Sequence, residues 1–293
     1  MVMESINTWF EENFEIYGTR KALSFFRGQK VETQLTYFDL QKDISLFVSF
    51  LTTYDLKKGD RVILLLEKSV VSVVAHMALL TAGLIVVPLN PGFKKNELEY
   101  LFCDAKAKLI MVGPDKKKLI RDIAPQMKIL EILTDLPYET LDFFRSCSGS
   151  CGKTKVQQCD PGLIIYTSGT TGNPKGAVLT HGNLVCDAKN IISIWNISQK
   201  DVLCHALPLF HIHGLCFALH TALLSGSHVL LLDRFTPGTV LKRLVSKECS
   251  VFMAVPAMYT KLMNFIGDQQ FDFHHMRLRP LVPHLCWKKI LIG

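Results

Sequence analysis

The chain has 293 residues, 48% of them hydrophobic, with a formal charge of +7 from 33 Lys and Arg against 26 Asp and Glu. That length and apolar share suit a globular protein of one to two domains with a large core. The charge is mild and its lysines are scattered; short runs such as Lys116-Lys117-Lys118 mark a solvated helix face rather than a nucleic-acid-binding stripe.

Nine cysteines is an odd count, and Glu4 precedes any apolar run, so no secretory signal is evident. Reduced thiols and a cytoplasmic location are expected. Cys147, Cys151 and Cys159 come nearest to a metal cluster, but their spacing matches no standard zinc pattern and they flank a Ser/Gly surface loop. No metal is expected there.

Taken in chain order, strand-like and helix-like runs alternate, which predicts βαβ units and largely parallel sheets flanked by helices, an α/β fold. Arg61–Leu66 reads as a strand, Val70–Thr81 as a helix and Leu84–Pro88 as a strand. A short helix at Glu97–Asp104 and a strand at Lys108–Val112 follow. The uncharged run Val70–Asn90 is long enough to raise the question of a membrane span. Ala82-Gly83 interrupts it ahead of Ile85-Val86-Val87, so helix followed by buried strand is the better reading. The second apolar stretch, Val202–Leu232, carries His205, His211, His213, His220 and His228, too many polar rings for lipid.

Residues 136–160 form the expected internal boundary. Beyond it, Leu163-Ile164-Ile165-Tyr166 and Ala177-Val178-Leu179 predict a strand hairpin. Leu184, Val185, Ala188, Ile191, Ile192 and Trp195 then share one helical face, with Thr180 as N-cap. The second half repeats the alternation: strand Val202–Leu207, a helix near Gly214–Ser225, strand His228–Leu232, helix Pro237–Lys247 and strand Val251–Val255.

The most informative run is the hairpin's connection, Tyr166-Thr167-Ser168-Gly169-Thr170-Thr171-Gly172-Asn173-Pro174-Lys175-Gly176. Glycines let a ligand approach main-chain N–H groups, and those groups with Thr and Ser hydroxyls and a lysine form a cradle for phosphate oxygens. It is not a Walker loop: counting from Gly169, the second glycine would fall at Pro174, Lys175 is followed by Gly176, and the residues after it are strand-like. A general P-loop NTPase is therefore disfavoured.

Residue for residue, the run resembles the signature of the adenylate-forming superfamily, which includes acyl-CoA synthetases, luciferases and peptide-synthetase adenylation domains. Further segments resemble that family in order: Leu35-Thr36-Tyr37 followed by a helix, Gly59-Asp60-Arg61-Val62, Ala82-Gly83 through Pro88-Leu89-Asn90-Pro91, Leu207-Pro208-Leu209-Phe210-His211-Ile212-His213-Gly214, and Val255-Pro256-Ala257-Met258-Tyr259. The resemblance covers roughly residues 5 to 278. It implies the large N-terminal domain of the adenylate-forming fold, spanning residues 1–293 and incomplete. It also implies a carboxylate–CoA ligase using ATP, Mg2+, coenzyme A and a small-molecule carboxylic acid, with no nucleic acid and no transmembrane segment.

Carried over residue by residue, the resemblance has Thr167, Ser168, Thr170 and Thr171 donating to the β- and γ-phosphates. Gly169, Gly172 and Gly176 let the loop close over them, and Lys175 neutralises charge near the departing pyrophosphate. His211 corresponds to the position beside the acid's carboxylate and the acyl tunnel, with Gly214 in the same pocket. Taken from spacing alone, His211 and His213 would share one face of a strand; a core-facing structural role suits His213 equally well. Malonyl-CoA synthetases have a closely similar Leu-Pro-x-Phe-His-x-His-Gly-Leu segment, so Lys261 is a candidate partner for a second carboxylate.

The resemblance stops near Leu278, and Arg279-Pro280-Leu281-Val282-Pro283 carries prolines that argue against the expected central strand. The tail 279–293 is atypical, and the family's Tyr-Gly-x-Thr-Glu and Thr-Gly-Asp segments, hinge and C-terminal lid domain do not follow. The expectation is an impaired enzyme, or a non-catalytic nucleotide-binding remnant of one.

Overall fold

A computed structural model describes residues 5–147, 154–167 and 173–277. The chain runs α1 (Ile6–Tyr17), β1 (Lys21–Arg27), β2 (Lys30–Thr36), α2 (Tyr37–Leu51), β3 (Arg61–Leu65), α3 (Val70–Thr81), β4 (Ile85–Pro88) and α4 (Lys95–Ala105). It continues through β5 (Leu109–Val112), α5 (Pro114–Ile123), β6 (Lys128–Glu131), β7 (Pro161–Thr167), β8 (Lys175–Thr180) and α6 (His181–Trp195). Then come β9 (Val202–His205), a π-wound helix His213–His220 passing into α7 (Thr221–Leu224), β10 (His228–Leu232), α8 (Pro237–Val245), β11 (Val251–Met253) and α9 (Pro256–Ile266).

Two compact units divide these elements: Met1–Ile16, Phe38–Cys186 and Leu209–Ile212 in the first, Tyr17–Tyr37, Asp187–Pro208 and His213–Gly293 in the second. The stretch 136–160 lies inside the continuous segment Phe38–Cys186 of the first unit. The tail 279–293 lies outside the described residues, as does Cys151. Among the described residues no group of His, Cys, Asp or Glu is placed to hold a metal ion, and no helix is long and apolar enough to cross a membrane.

The first unit is built on a six-stranded sheet of order β6-β5-β3-β4-β7-β8. Its pairs are parallel except β7 with β8, which are antiparallel. Strands that run parallel are covered on both faces and so consist of unbroken apolar runs. Ile63, Leu65, Val87, Ile110 and Val112 are buried in one cluster with Leu98, Leu101 and Ala105 of α4 and Ile120 of α5.

Local signals set the limits of α3. Ser69 caps its start: the Ser69 hydroxyl accepts from the Ser72 N–H, and the Ser72 hydroxyl accepts from the Ser69 N–H. At its end Gly83 adopts φ +72°, and the Gly83 and Leu84 N–H groups donate to the carbonyls of Leu80 and Leu79. That is a Schellman closure, which turns the chain directly into β4. The uncharged run is therefore a 12-residue buried helix plus a strand, about 18 Å of helix, too short for a bilayer core of about 30 Å.

The second unit is built on a five-stranded sheet, β11-β9-β10-β1-β2, parallel apart from the β1–β2 hairpin. Phe26, Cys204, Leu230, Leu232 and Phe252 bury their side chains with Val240 and Leu244 of α8 and Tyr259 and Leu262 of α9. Asp201, also buried, takes Arg277 in a two-pronged ion pair at 2.7 and 3.0 Å and accepts from the Ser250 hydroxyl and the Ser198 N–H. β9 and β11 end at His205 and Met253, short of the Leu207 and Val255 expected from sequence. Their ladder stops where His205 meets Leu231 and Met253.

Gly83→Ala places a Cβ within 3.1–3.3 Å of Lys58, Thr154 and Val156 at a positive φ. It should cost about 1–2 kcal/mol from the left-handed backbone alone, read from the urea midpoint; an unchanged midpoint would show that the closure does not stabilise the fold. His181 is fully buried, its ring fitting where Gly162 has no side chain (3.1 Å to a built Cβ). Desolvation pulls its pKa from 6.5 down to about 4, against the weaker pull of Asp160 in the other direction. The folded state thus resists protonation, and its stability, full above about pH 6.5, falls as pH drops toward 4, by roughly 3 kcal/mol. His181→Gln should flatten that part of the stability–pH curve; an identical slope in the variant would exclude His181 as its source.

Candidate active site

The β7–β8 hairpin brings the two ends of the phosphate-loop run together. In β7, Leu163, Ile164 and Ile165 are buried, and Leu163 pairs with Val86 of β4, so the strand is rooted in the sheet. The antiparallel register continues through Tyr166 opposite Gly176 to Thr167 opposite Lys175. Thr167 and Lys175 therefore face each other across the last rung, and both are exposed. Ser168, Gly169, Thr170, Thr171 and Gly172 lie outside the described residues.

Gly176 makes a close approach possible. A Cβ there would sit 2.8 Å from Ile164 Cγ2 and 3.4 Å from the Tyr166 ring, so the Ile164 side chain occupies the space a side chain would need, with the aromatic ring in contact beside it. The Tyr166 hydroxyl donates to the Asp104 carboxylate of α4 at 2.5 Å, and the Tyr100 hydroxyl, also on α4, donates to the Pro174 carbonyl at 3.0 Å. Burial, then the bond to Asp104 and its charge, push the Tyr166 phenol well above its ordinary pKa, so it remains a neutral donor. On the C-terminal side of β8, Thr180 caps α6: its hydroxyl accepts from the Asn183 N–H, and its own N–H donates to the Asn183 side chain.

The segment after β9 departs from the strand that would align His211 with His213. His211 stands in a bend, and His213 opens the π-wound helix. The two histidines belong to different compact units. The reason for the turn is legible at Gly214: a Cβ there would lie 2.1 Å from the Pro208 carbonyl oxygen, and the Gly214 carbonyl accepts from His205 Nε2 at 2.8 Å. No other residue fits that crossing, and a carbonyl acceptor requires the proton of His205 on Nε2. The His211 ring lies 4.5 Å from the Phe210 ring, and desolvation lowers its pKa below 6.5, leaving it neutral at pH 7 with one donor and one acceptor. His213 is half-buried, its ring edge-on to Phe217 at 4.9 Å, and Phe217 meets Trp195 in the same way.

Lys261 is exposed on α9, in the second unit with Gly214, whereas the hairpin and His211 are in the first. Its neighbour Tyr259 is buried and donates to the Phe252 carbonyl, which anchors that helix to β11. Within the first unit, then, the hairpin joins Thr167, Lys175 and Gly176. Sequence reasoning missed Tyr100 and Asp104; their spacing of one helical turn was the available signal, but it says nothing of what they reach.

Residues 10–286 match the family of AMP-binding enzymes. The mitochondrial malonate–CoA ligase of Bos taurus is 32% identical over 237 residues, 80% of this chain and 40% of that protein. A long-chain-fatty-acid–CoA ligase of Bacillus subtilis is 28% identical, covering 88% of this chain and 51% of its own. The crystal structure of ATP-bound MatB from Rhodopseudomonas palustris superposes with a TM-score of 0.80 at 30% identity, covering 89% of this chain and 51% of that one. FadD1 of Archaeoglobus fulgidus, a long-chain-fatty-acid–CoA ligase, shares the fold at a TM-score of 0.86 and 21% identity. The chain spans 40% of the Bos taurus ligase and about half of the Bacillus one. On the hairpin, the sheet order and the match over residues 10–286, the chain belongs to the AMP-binding enzyme family.

Proposed function

We propose that this chain is the ATP- and acid-binding part of a carboxylate–CoA ligase. In the first step a carboxylate oxygen attacks the α-phosphorus of ATP and the bond to pyrophosphate breaks, giving an acyl-adenylate. In the second the thiol of coenzyme A attacks the acyl carbon and AMP leaves. Chemistry of this kind needs charge stabilisation and positioning more than covalent help.

The observation that supports this most is the exposed rung of Thr167 and Lys175 at the end of a hairpin rooted in the sheet. A hydroxyl donor and an ammonium side by side suit the β- and γ-phosphates, with Ser168, Gly169, Thr170, Thr171, Gly172 and Gly176 completing the cradle. Mg2+ enters as part of the nucleotide substrate. His211, neutral at pH 7, offers a ring N–H to the acid's carboxylate without a fixed positive charge that would hold it in the ground state.

Malonate, named in the Bos taurus relative, is the first acid to test, with the Lys261 ammonium and the Gly214 turn as its proposed acyl-side contacts. Long-chain fatty acid is the second. The alternative is that these 293 residues by themselves bind nucleotide without turning it over, a reading favoured by their spanning 40% of the Bos taurus ligase. We propose a cytoplasmic location; since that relative is mitochondrial, cell fractionation decides it.

ATP–pyrophosphate exchange across acetate, malonate, medium- and long-chain fatty acids and an aromatic acid tests the proposal. Stimulation by one acid, reduced about 10²-fold or more by Lys175→Ala, is the expected result. Lys261→Ala should raise the KM for malonate and leave monocarboxylates unaffected. No exchange from a folded sample that still binds ATP would favour the alternative. Exchange untouched by Lys175→Ala would reject the role given to that lysine.

A further inference from the structure

Tyr100 and Asp104 are one turn apart on α4 and so project from the same face of the helix. Each engages a different leg of the hairpin. The Tyr100 hydroxyl donates to the Pro174 carbonyl, and Asp104 accepts from the Tyr166 hydroxyl. Pro174 directly precedes Lys175, and Tyr166 directly precedes Thr167. One helix face thus holds the residue before each of the two side chains presented on the terminal rung. Proline has no N–H, so the Pro174 carbonyl is the only backbone hydrogen-bonding group that residue offers, and Tyr100 takes it.

The α4 contact is polar where packing alone would not need it. Both tyrosine rings are partly buried against the cluster formed by Leu98, Leu101, Ile110 and Ile164, and phenylalanine would fill that space equally well. The hydroxyls add direction: each fixes one leg at a set distance from a helix that is itself packed on the sheet. α4 is anchored in turn, since Arg61 of β3 donates to the Ala105 carbonyl at its C-terminal end at 2.8 Å.

We propose that Tyr100 and Asp104 are positioning residues that hold the two legs of the hairpin so that Thr167 and Lys175 present together to the pyrophosphate portion of ATP. The proposal rests on the nucleotide-binding reading above for its ligand, and on the two hydrogen bonds for its geometry. It predicts discrimination: ATP, which carries the β- and γ-phosphates, depends on the grip, whereas AMP does not.

The test is equilibrium binding of ATP and of AMP to the 293-residue chain and to Tyr100→Phe, Tyr166→Phe and Asp104→Asn, with hydrogen exchange of the peptide 163–180 measured alongside. Each variant keeps the shape of the side chain it replaces. The expected result is ATP affinity weakened on the order of 10-fold, AMP affinity changed less than twofold, and faster exchange confined to that peptide. Parallel loss of ATP and AMP binding would mean that the bonds serve general stability, and would overturn the proposal. If the parent chain binds neither nucleotide, the nucleotide reading fails, and the exchange data still decide the grip: unchanged exchange in Tyr100→Phe and Asp104→Asn refutes it.

Discussion

One antiparallel rung at the end of a parallel sheet organises the first unit's candidate site. β7 is tied to β4 through Leu163 and Val86, and β8 folds back on it as far as Thr167 and Lys175. A parallel strand leads its chain away across the sheet, whereas an antiparallel partner returns it at once, so among the described strands of this sheet it is β7 and β8 that bring their adjoining ends together. The hydroxyl and the ammonium are neighbours because of that reversal. Buried Leu163, Ile164 and Ile165 make its base rigid, the missing side chain at Gly176 leaves room for the Ile164 side chain, and Asp104 of α4 holds the Tyr166 hydroxyl.

The same economy of space appears elsewhere. Gly162 leaves room for the buried His181 ring, and Gly214 lets the chain pass against the Pro208 carbonyl. These glycines are explained by what occupies the place of their side chains. The phosphate-loop glycines have a different physical role to offer, the approach of a ligand to backbone N–H groups.

Much of this was legible in the sequence where the determinants are local. The limits of Val70–Thr81 are local, because Ser69 and Gly83 close both ends by short-range hydrogen bonds. The hairpin was legible because an apolar run stands on each side of a turn-forming one. Strand ends at His205 and Met253 were not, since they depend on partners far along the chain. The strand premise for His211 and His213 failed for a similar reason: the crossing of Gly214 with Pro208 and its bond to His205 impose a turn that side-chain periodicity does not encode. The links from α4 to the hairpin were invisible because they join Tyr100 to Pro174 and Asp104 to Tyr166, contacts set only by the sheet order.

In the proposed function the terminal rung of the hairpin holds the outer phosphates of a nucleotide. Phosphorus NMR of ATP titrated with this chain tests it most directly, because the three phosphorus nuclei report separately. The β and γ resonances should shift and broaden, and Lys175→Ala should suppress this effect. Equal perturbation of all three resonances, or shifts unaltered by Lys175→Ala, would contradict it.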